Sequence, residues 1–553
     1  MLGRPALSLT ENPALARLVD GVIAARRIVI LCGAGVTADA GLPTWPLLLA
    51  RIAQQRAARD DALAPLVPAN EADLARAAGL LLRRPGRGRS PDYAAVAAAL
   101  YDDQPPLPST YLAQRIVDLV AARGDRSIAL ATTNYDDLLE AAARTSGLRP
   151  VPCALDDAGP WWDAFAAPAD PVLPIHHLHG YLGRDPEAVL GPIVVTEDQF
   201  HREGARVQAD LRRMMAEADL VLCVGLGLTD PNLVGALAAA DPEHAGRVFV
   251  VSVAGAVADS ATPAQAERYA AERGAYLHDV FGVEVVPLDG YGQVGQLMIE
   301  LELAVSEPDR YRDPDPATGL RHRFRLARAL EVAHRAVGWP VDGSEPSGAQ
   351  LAAASDALDG VLRAIRPRLD AVVLRSGAES LLALGDDLPD VPDLAAHLAG
   401  EGLGLFLWMP PPFRPDGPPA PGRDGLRLVA ASAYSHRAYW SFRRKPLAVN
   451  AYATDPAARA AFSGQPVVAP VAAGDETGPW RTLVAVPLTA VPAPDRGSTV
   501  GLGAVVLASD RSLPPPGARA DARSAGVAHL APAQVATACR IVVDAMSALL
   551  APA

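Results

Sequence analysis

The chain has 553 residues, half of them hydrophobic, which is too long for one ordinary core and ample for two or three packed domains. Its net charge of −13 argues against bulk nucleic-acid binding, which needs a basic face to displace counterions; Arg443, Arg444 and Lys445 form only a small local patch. No apolar run is long and clean enough to span a bilayer, and the first residues lack the basic stretch and apolar core of a signal peptide, so neither a membrane partner nor export is expected. Cys32, Cys153, Cys223 and Cys539 are scattered and form no CxxC pair. Neither a disulfide framework nor a metal site is expected, and a cytoplasmic protein fits.

Residues 26 to 32, RRIVILC, are a short apolar run rich in β-branched residues, which predicts a buried parallel strand. It stops at Gly33, and a helix is expected from about Thr37; strand, glycine turn and helix open a Rossmann-like unit. Similar runs recur at Ser127 to Thr132, Ile193 to Thr196, Leu220 to Val224, Arg247 to Val253 and Val283 to Leu288, alternating with helical patterns. The expected fold is therefore α/β, a mostly parallel, doubly wound sheet. Residues 47 to 126 carry helical spacing, as in Ala72 to Leu82 and Tyr93 to Leu100, broken by stretches such as Arg84-Pro85-Gly86-Arg87-Gly88. They read as a helical insertion covering the ligand crevice. Glu307 to Gly319 is polar and proline-containing, a linker candidate, followed by a helix at about Leu320 to Val337 and a second break at Val341 to Gly348. Gln350 to Ile365 reads as an amphipathic helix. The texture then changes: Leu403 to Met409, Leu426 to Ser432, Thr482 to Leu488 and Val500 to Ser509 read as strands, with a proline-rich loop at Pro410 to Pro421 and a closing helix at Val535 to Leu550. The predicted division is 1–305, 306–348 and 349–553, the last an α+β domain.

Five motifs in the first half carry chemistry. In Gly33-Ala34-Gly35-Val36-Thr37 the glycines permit close backbone approach, and amides at a helix start attract phosphate. Thr37 can cap that helix or reach a phosphate, and Asp39 can contact a ribose or simply favour the positive helix end. Gly41-Leu42-Pro43 follows. In Thr132-Thr133-Asn134-Tyr135-Asp136 the polar residues lie just past a strand, at the carboxyl edge where ligands of open α/β sheets bind; Asn134 and Asp136 there can hold a ribose or a water, or serve as turn and cap residues. His177-Leu178-His179-Gly180, preceded by His176, supplies a group that titrates near neutral pH and can accept a proton. Gly225-Leu226-Gly227-Leu228-Thr229-Asp230 is a second glycine turn, whose Asp230 can bind a ribose or cap a helix beginning at Pro231.

The order of these motifs resembles the sirtuin family over residues 15 to 305. GAGVTADAGLPTW at 33 to 45 tracks the sirtuin GAGIS-x-x-AGIPDF pattern, TTNYD tracks TQNID, and LHG tracks the catalytic His-Gly. The resemblance implies NAD as the bound nucleotide. It implies Asn134 and His179 as catalytic residues. It implies Gly33, Ala34, Gly35, Thr37, Asp39, Thr133, Asp136, Gly225, Gly227 and Asp230 as nucleotide contacts, with His177 structural.

Two departures mark the branch. Deacylating sirtuins carry four zinc-binding cysteines in two CxxC pairs, absent here, so no zinc is expected; and the Asp and Arg of their GIPDFR phrase are Thr44 and Pro46. What remains resembles the sirtuin-like NAD glycohydrolases of bacterial antiphage defence, in which NAD is substrate. The phrases Ser463-Gly464-Gln465-Pro466-Val467-Val468, Leu483 to Leu488 and Val500 to Leu507 resemble a GAF domain over about 349 to 551. That implies a sensor for a phage-derived or small-molecule trigger, or a dimerisation element, and hence a homo-oligomer. Two other readings stay open at this stage: an NAD-dependent protein deacylase or ADP-ribosyltransferase, and a non-catalytic NAD or ADP-ribose sensor.

Overall fold

The structure is a computed structural model. It describes residues 9, 12–37, 40, 42–57, 74–83, 92–101, 110–168, 171–185, 188–228, 230–239, 247–253, 263–341, 344–384, 401–412, 425–432, 447–448, 455–471, 480–490, 500–511, 530 and 532–550. Two compact units are present, one of residues 10–289 and 297–308, the other of 290–296 and 309–553. No helix among the described residues is long and apolar enough to cross a membrane.

The first unit is built on a parallel sheet of β1 (Arg27–Cys32), β2 (Ser127–Thr132), β3 (Arg149–Ala154), β4 (Val172–His177), β7 (Leu220–Val224), β8 (Val248–Val253) and β9 (Val283–Leu288). Their order is β3-β4-β2-β1-β7-β8-β9, and a separate two-stranded ribbon pairs β5 (Tyr181–Leu182) with β6 (Val189–Leu190). The expected doubly wound α/β fold is the observed one. From β1 the chain moves to one side through β2, β3 and β4, then crosses to β7 on the other. The strand order reverses between β1 and β7, and in open α/β sheets ligands bind at the carboxyl ends beside such a switch point.

The expected β1, β2, β7, β8 and β9 form where the apolar runs are, because a strand covered on both faces needs apolar side chains on both. Three features differ from expectation. Ile193 to Thr196 is buried but pairs with no strand: Val194 N donates to His179 O, and Gln199 Oε1 accepts from the amides of Val195 and Thr196. Thr196 then caps the helix Glu197–Glu217 in a reciprocal box with Gln199. A 3₁₀ turn spans Ala34–Val36 and Thr37 is a turn residue; Ala38, Asp39 and Gly41 lie outside the described residues, and the next described α-helix starts at Trp45. Finally β3 and β4 were not expected, since Pro150, Pro152 and Pro174 argue against strands. β3 lies at the sheet edge, where a missing N–H is tolerated.

Helices occupy the insertion, as expected. Trp45–Ala57, Leu74–Leu81 and Tyr93–Tyr101 bury Leu49, Ile52, Leu74 and Val96 in one cluster with Tyr135, Leu138, Leu182, Ile193 and Val195. The insertion is thereby packed on the segments that follow β2 and β4.

The second unit holds an antiparallel sheet of β10 (Leu403–Met409), β11 (Gly425–Ala431), β12 (Leu447–Ala448), β13 (Val467–Pro470), β14 (Thr482–Ala490) and β15 (Val500–Ser509), ordered β12-β11-β10-β15-β14-β13. The helices His322–Ala336, Gly348–Leu384 and Pro532–Leu550 add Leu330, Leu358, Ile365 and Met546 to its core. The helix Gly348–Leu384 runs past Pro367, where proline removes a backbone hydrogen bond. Beyond it Leu369 and Val373 are buried, and Arg366 Nε donates to Asp370 Oδ1 at 2.9 Å, so packing outweighs the local break.

Candidate functional site

One row of the parallel sheet fixes the site. Cys32 of β1 is paired with Thr132 of β2 and with Val224 of β7, and Thr132 is paired with His177 of β4. All these strands point the same way. The motifs that follow them, Gly33-Ala34-Gly35, Thr133-Asn134, Leu178-His179 and Gly225 to Asp230, therefore leave the sheet at one level, on its carboxyl edge.

The two glycine turns lie against each other. Gly33 N donates to Val224 O at 2.9 Å and Gly35 N to Gly225 O at 3.0 Å. A Cβ on Gly33 would stand 2.6 Å from Gly225 O, and one on Gly225, whose φ is 69°, would stand 2.7 Å from Val36 N. Only glycine allows that approach. The amides of Gly33 and Gly35, which sequence reasoning pointed at a phosphate, are thus taken up by the end of β7 and by the second turn. The carbonyl of Ala34 receives the amide of Thr37, and Gly227 O accepts from Arg273 Nη2 at 3.3 Å.

Asn134 ties the first turn to β2. Its Nδ2 donates to Gly33 O and to Thr37 Oγ1, both at 3.2 Å, while Thr132 Oγ1 accepts from Asn134 N and Thr133 N donates to Cys32 O. Asp136 is buried, and one carboxylate oxygen accepts from Leu138 N at 3.2 Å, the turn role weighed for it above. Burial pushes its carboxyl up to about 6; the Leu138 amide opposes this, and the charge of Glu140 adds to it. Burial likewise pushes the thiol of Cys32, at the foot of the first turn, far above its ordinary range, so it is no nucleophile.

The three histidines differ sharply. His176 Nε2 pairs with Asp210 Oδ2 at 2.9 Å. His177 is fully buried between two acceptors: Nδ1 donates to Asn134 O at 2.9 Å, and Nε2 shares a proton with Glu140 Oε1 at 2.8 Å. Burial alone would lower its pKa, but Glu140 and the Asn134 carbonyl raise it above the ordinary value. Sequence reasoning missed Glu140; the available signal was a lone carboxylate in the apolar run Leu138-Leu139-Glu140-Ala141-Ala142. His177 and Glu140 together hold the backbone of Asn134.

His179 is buried, edge-on to Phe200, with its pKa lowered by burial and partly restored by Asp230. It is therefore neutral near pH 7 and able to accept a proton. Gly180, at φ 85°, turns the chain beneath Ile193, where a side chain has no room. Asp230 caps the helix Pro231–Ala238, its Oδ1 accepting from Asn232 N at 2.7 Å and Leu233 N at 3.3 Å. The expected contact residue Asp39 lies outside the described residues. The remaining candidates are brought to the one edge described above.

A model of the SIR2-like domain matches residues 128–277, a little over a quarter of the chain and the part containing Asn134, His179 and the second glycine turn. No curated protein matches the chain. Among solved structures it is similar to a Sir2 homologue in complex with NAD, at 15% identity over 56% of this chain and 97% of that one, with a TM-score of 0.26. It is also similar to a Sir2 homologue variant with ADP-ribose, at 16% identity over 53% and 96% and a TM-score of 0.25. A structure describing the mechanism and regulation of Sir2 enzymes gives 14% identity over 54% and 99%, with a TM-score of 0.26. The fold assignment rests on the strand order itself.

Proposed function

We propose that the first unit binds NAD across the β1/β7 switch point and hydrolyses the bond between nicotinamide and ribose. One observation carries this reading: Asn134, His179 and both glycine turns leave a single row of the sheet, with the Asn134 amide holding the first turn. The match to the SIR2-like domain supports NAD as the nucleotide.

Breaking the glycosidic bond sends its electron pair to the pyridinium, which leaves as neutral nicotinamide. Water then forms the new bond to the ribose carbon, giving ADP-ribose, and one proton is released. The leaving group needs no acid, so positioning and charge stabilisation do most of the work. Asn134 orients the ribose or the water through Oδ1, and His179 accepts the proton. The joined glycine turns form the floor beneath the nucleotide, with Thr37, Thr133 and Asp136 around it. The insertion helices, packed on Tyr135 and Ile193, exclude solvent from the edge.

We read the second unit as a GAF-like sensor or assembly element and the whole chain as an antiphage-defence effector. The support is the order of its strand phrases and the two long helices of that unit. Purified full-length protein is expected to convert NAD into equal amounts of nicotinamide and ADP-ribose, resolved by chromatography. Transfer of an acyl group from an acylated lysine peptide, with NAD consumed only in its presence, would replace this reading with deacylation. Expression in bacteria is expected to deplete cellular NAD.

A further inference from the structure

We propose that Asp230 is the positioning carboxylate of His179, gripping the imidazole at Nε2 with one oxygen while the other anchors it to a helix. The inference rests on the hydrolase reading above and changes the role of Asp230 within it, from a ribose contact to a residue acting through the base.

The geometry is specific. Asp230 Oδ2 stands 3.2 Å from His179 Nε2. That nitrogen is buried and makes no hydrogen bond, so the distance is right and the approach angle is not yet closed. An unpartnered ring nitrogen in a buried site is costly and is retained where a partner is at hand. The carboxylate is itself well held. Its Oδ1 caps the helix Pro231–Ala238 through two backbone amides. The loop that delivers it is pinned at Gly225 against the first turn and at Gly227 by Arg273, and Leu228 adopts φ 53°, a left-handed conformation unusual for leucine. Strain at a residue that aims a carboxylate at a buried histidine is the pattern of a preorganised site.

Among the described residues, the helix Glu197–Glu217 presents the edge of Phe200 to the ring and the start of the helix Pro231–Ala238 presents Asp230, while the His179 carbonyl accepts from Val194 N. Among the described residues, Asp230 supplies the charge that acts on His179. When His179 takes a proton, the imidazolium forms beside a fixed carboxylate, which makes the histidine a stronger base than burial alone would allow.

The test is Asp230→Asn, which keeps a side-chain oxygen to cap the helix and removes the charge. The acid limb of the pH profile of kcat/KM for NAD should move to lower pH, because His179 loses a charge that favours its protonated form. The value of kcat should fall by about tenfold or more, while calorimetry gives an ADP-ribose Kd within about twofold of wild type on an electrostatic argument of this kind. Asp230→Glu should restore part of the profile. An unmoved acid limb with a weakened ADP-ribose Kd would overturn the proposal in favour of a ribose contact. An unmoved limb with only a lowered Tm would reduce Asp230 to a cap. If the wild-type protein turns over no NAD, the hydrolase reading fails and the Asp230 inference is still decided. NMR titration of 13C-labelled histidine rings, with His179→Gln assigning the signal, should show the His179 pKa lower in Asp230→Asn than in wild type. Equal values would sink it.

Discussion

The carboxyl edge of the parallel sheet and the middle of the antiparallel sheet are both buried, but with opposite chemistry. β10 and β15 bury every residue from Leu403 to Met409 and from Val500 to Ser509, and two hydroxyls at the end of β15 and the start of β14 are matched: Ser509 Oγ donates to Glu401 Oε1 at 2.6 Å, and Thr482 Oγ1 to Arg511 O at 2.7 Å. The parallel edge buries Thr132, Asn134, Asp136, Glu140, His177 and His179, and leaves Glu140 Oε2 and His179 Nε2 without a hydrogen bond. Burying polar groups costs stability unless they are paired, and an incompletely paired set costs more than an apolar one. A fold keeps such a set where a ligand or a reaction completes it. The middle of one sheet is apolar, whereas the other sheet gathers buried polar and titratable groups at one edge.

The largest way to break that contrast is His177→Ala. It leaves Glu140 buried without its counter-charge, and removing one partner of a buried pair costs about 3–5 kcal/mol. Chemical denaturation followed on the first unit should show a loss of that size together with weakened ADP-ribose binding, as the Asn134 backbone loses its tie. A change no larger than that of a surface substitution would mean the edge is not organised around the His177–Glu140 pair. Leu405→Ala sharpens the contrast from the other side. Leu405 is fully buried in the second core, and such truncations cost about 2–5 kcal/mol. It should lower the stability of the second unit and leave ADP-ribose affinity as it was.

The smallest expected effect has the opposite sign. Asp136 has its carboxyl raised from 3.8 to about 6. A raised value means the folded state holds the proton more tightly, so that stabilisation is complete below pH 3.8 and is lost as pH rises through about 6. Above that pH the ionised carboxylate costs up to about 3 kcal/mol. Asp136→Asn, which retains the turn hydrogen bond, should therefore raise Tm at pH 8 and converge with wild type near pH 4. A variant less stable than wild type at pH 8 would show that the charge is compensated.

How much was legible follows the same physics. Four of the six described strands of the second unit read almost to the residue, because runs such as Leu403 to Met409 and Val500 to Ser509 are apolar and bounded by polar or proline-rich sequence; the short β12 and β13 were not expected. In the first unit β1, β2 and β7 were legible for the same reason, and their glycine and Asn motifs placed the edge. β3 was hidden by prolines that its edge position tolerates, and β4 by Pro174, which lies before its pairing with β2 begins at Ile175. Ile193 to Thr196 looked like a strand because it is apolar and β-branched, yet side chains and His179 O satisfy its backbone. Spacing alone could not show that Gly33 and Gly35 face another turn of the chain, or that Glu140 reaches His177; both are contacts between segments distant in sequence.

The central claim is that the parallel edge is a nucleotide site whose base is His179. Its most direct test measures NAD turnover and ADP-ribose affinity on the same preparations of wild type and His179→Ala. The account predicts that turnover falls by about 10²–10⁴-fold, as expected for removal of a general base, while ADP-ribose still binds with little change. Turnover that survives the substitution, with affinity unaltered, would contradict it.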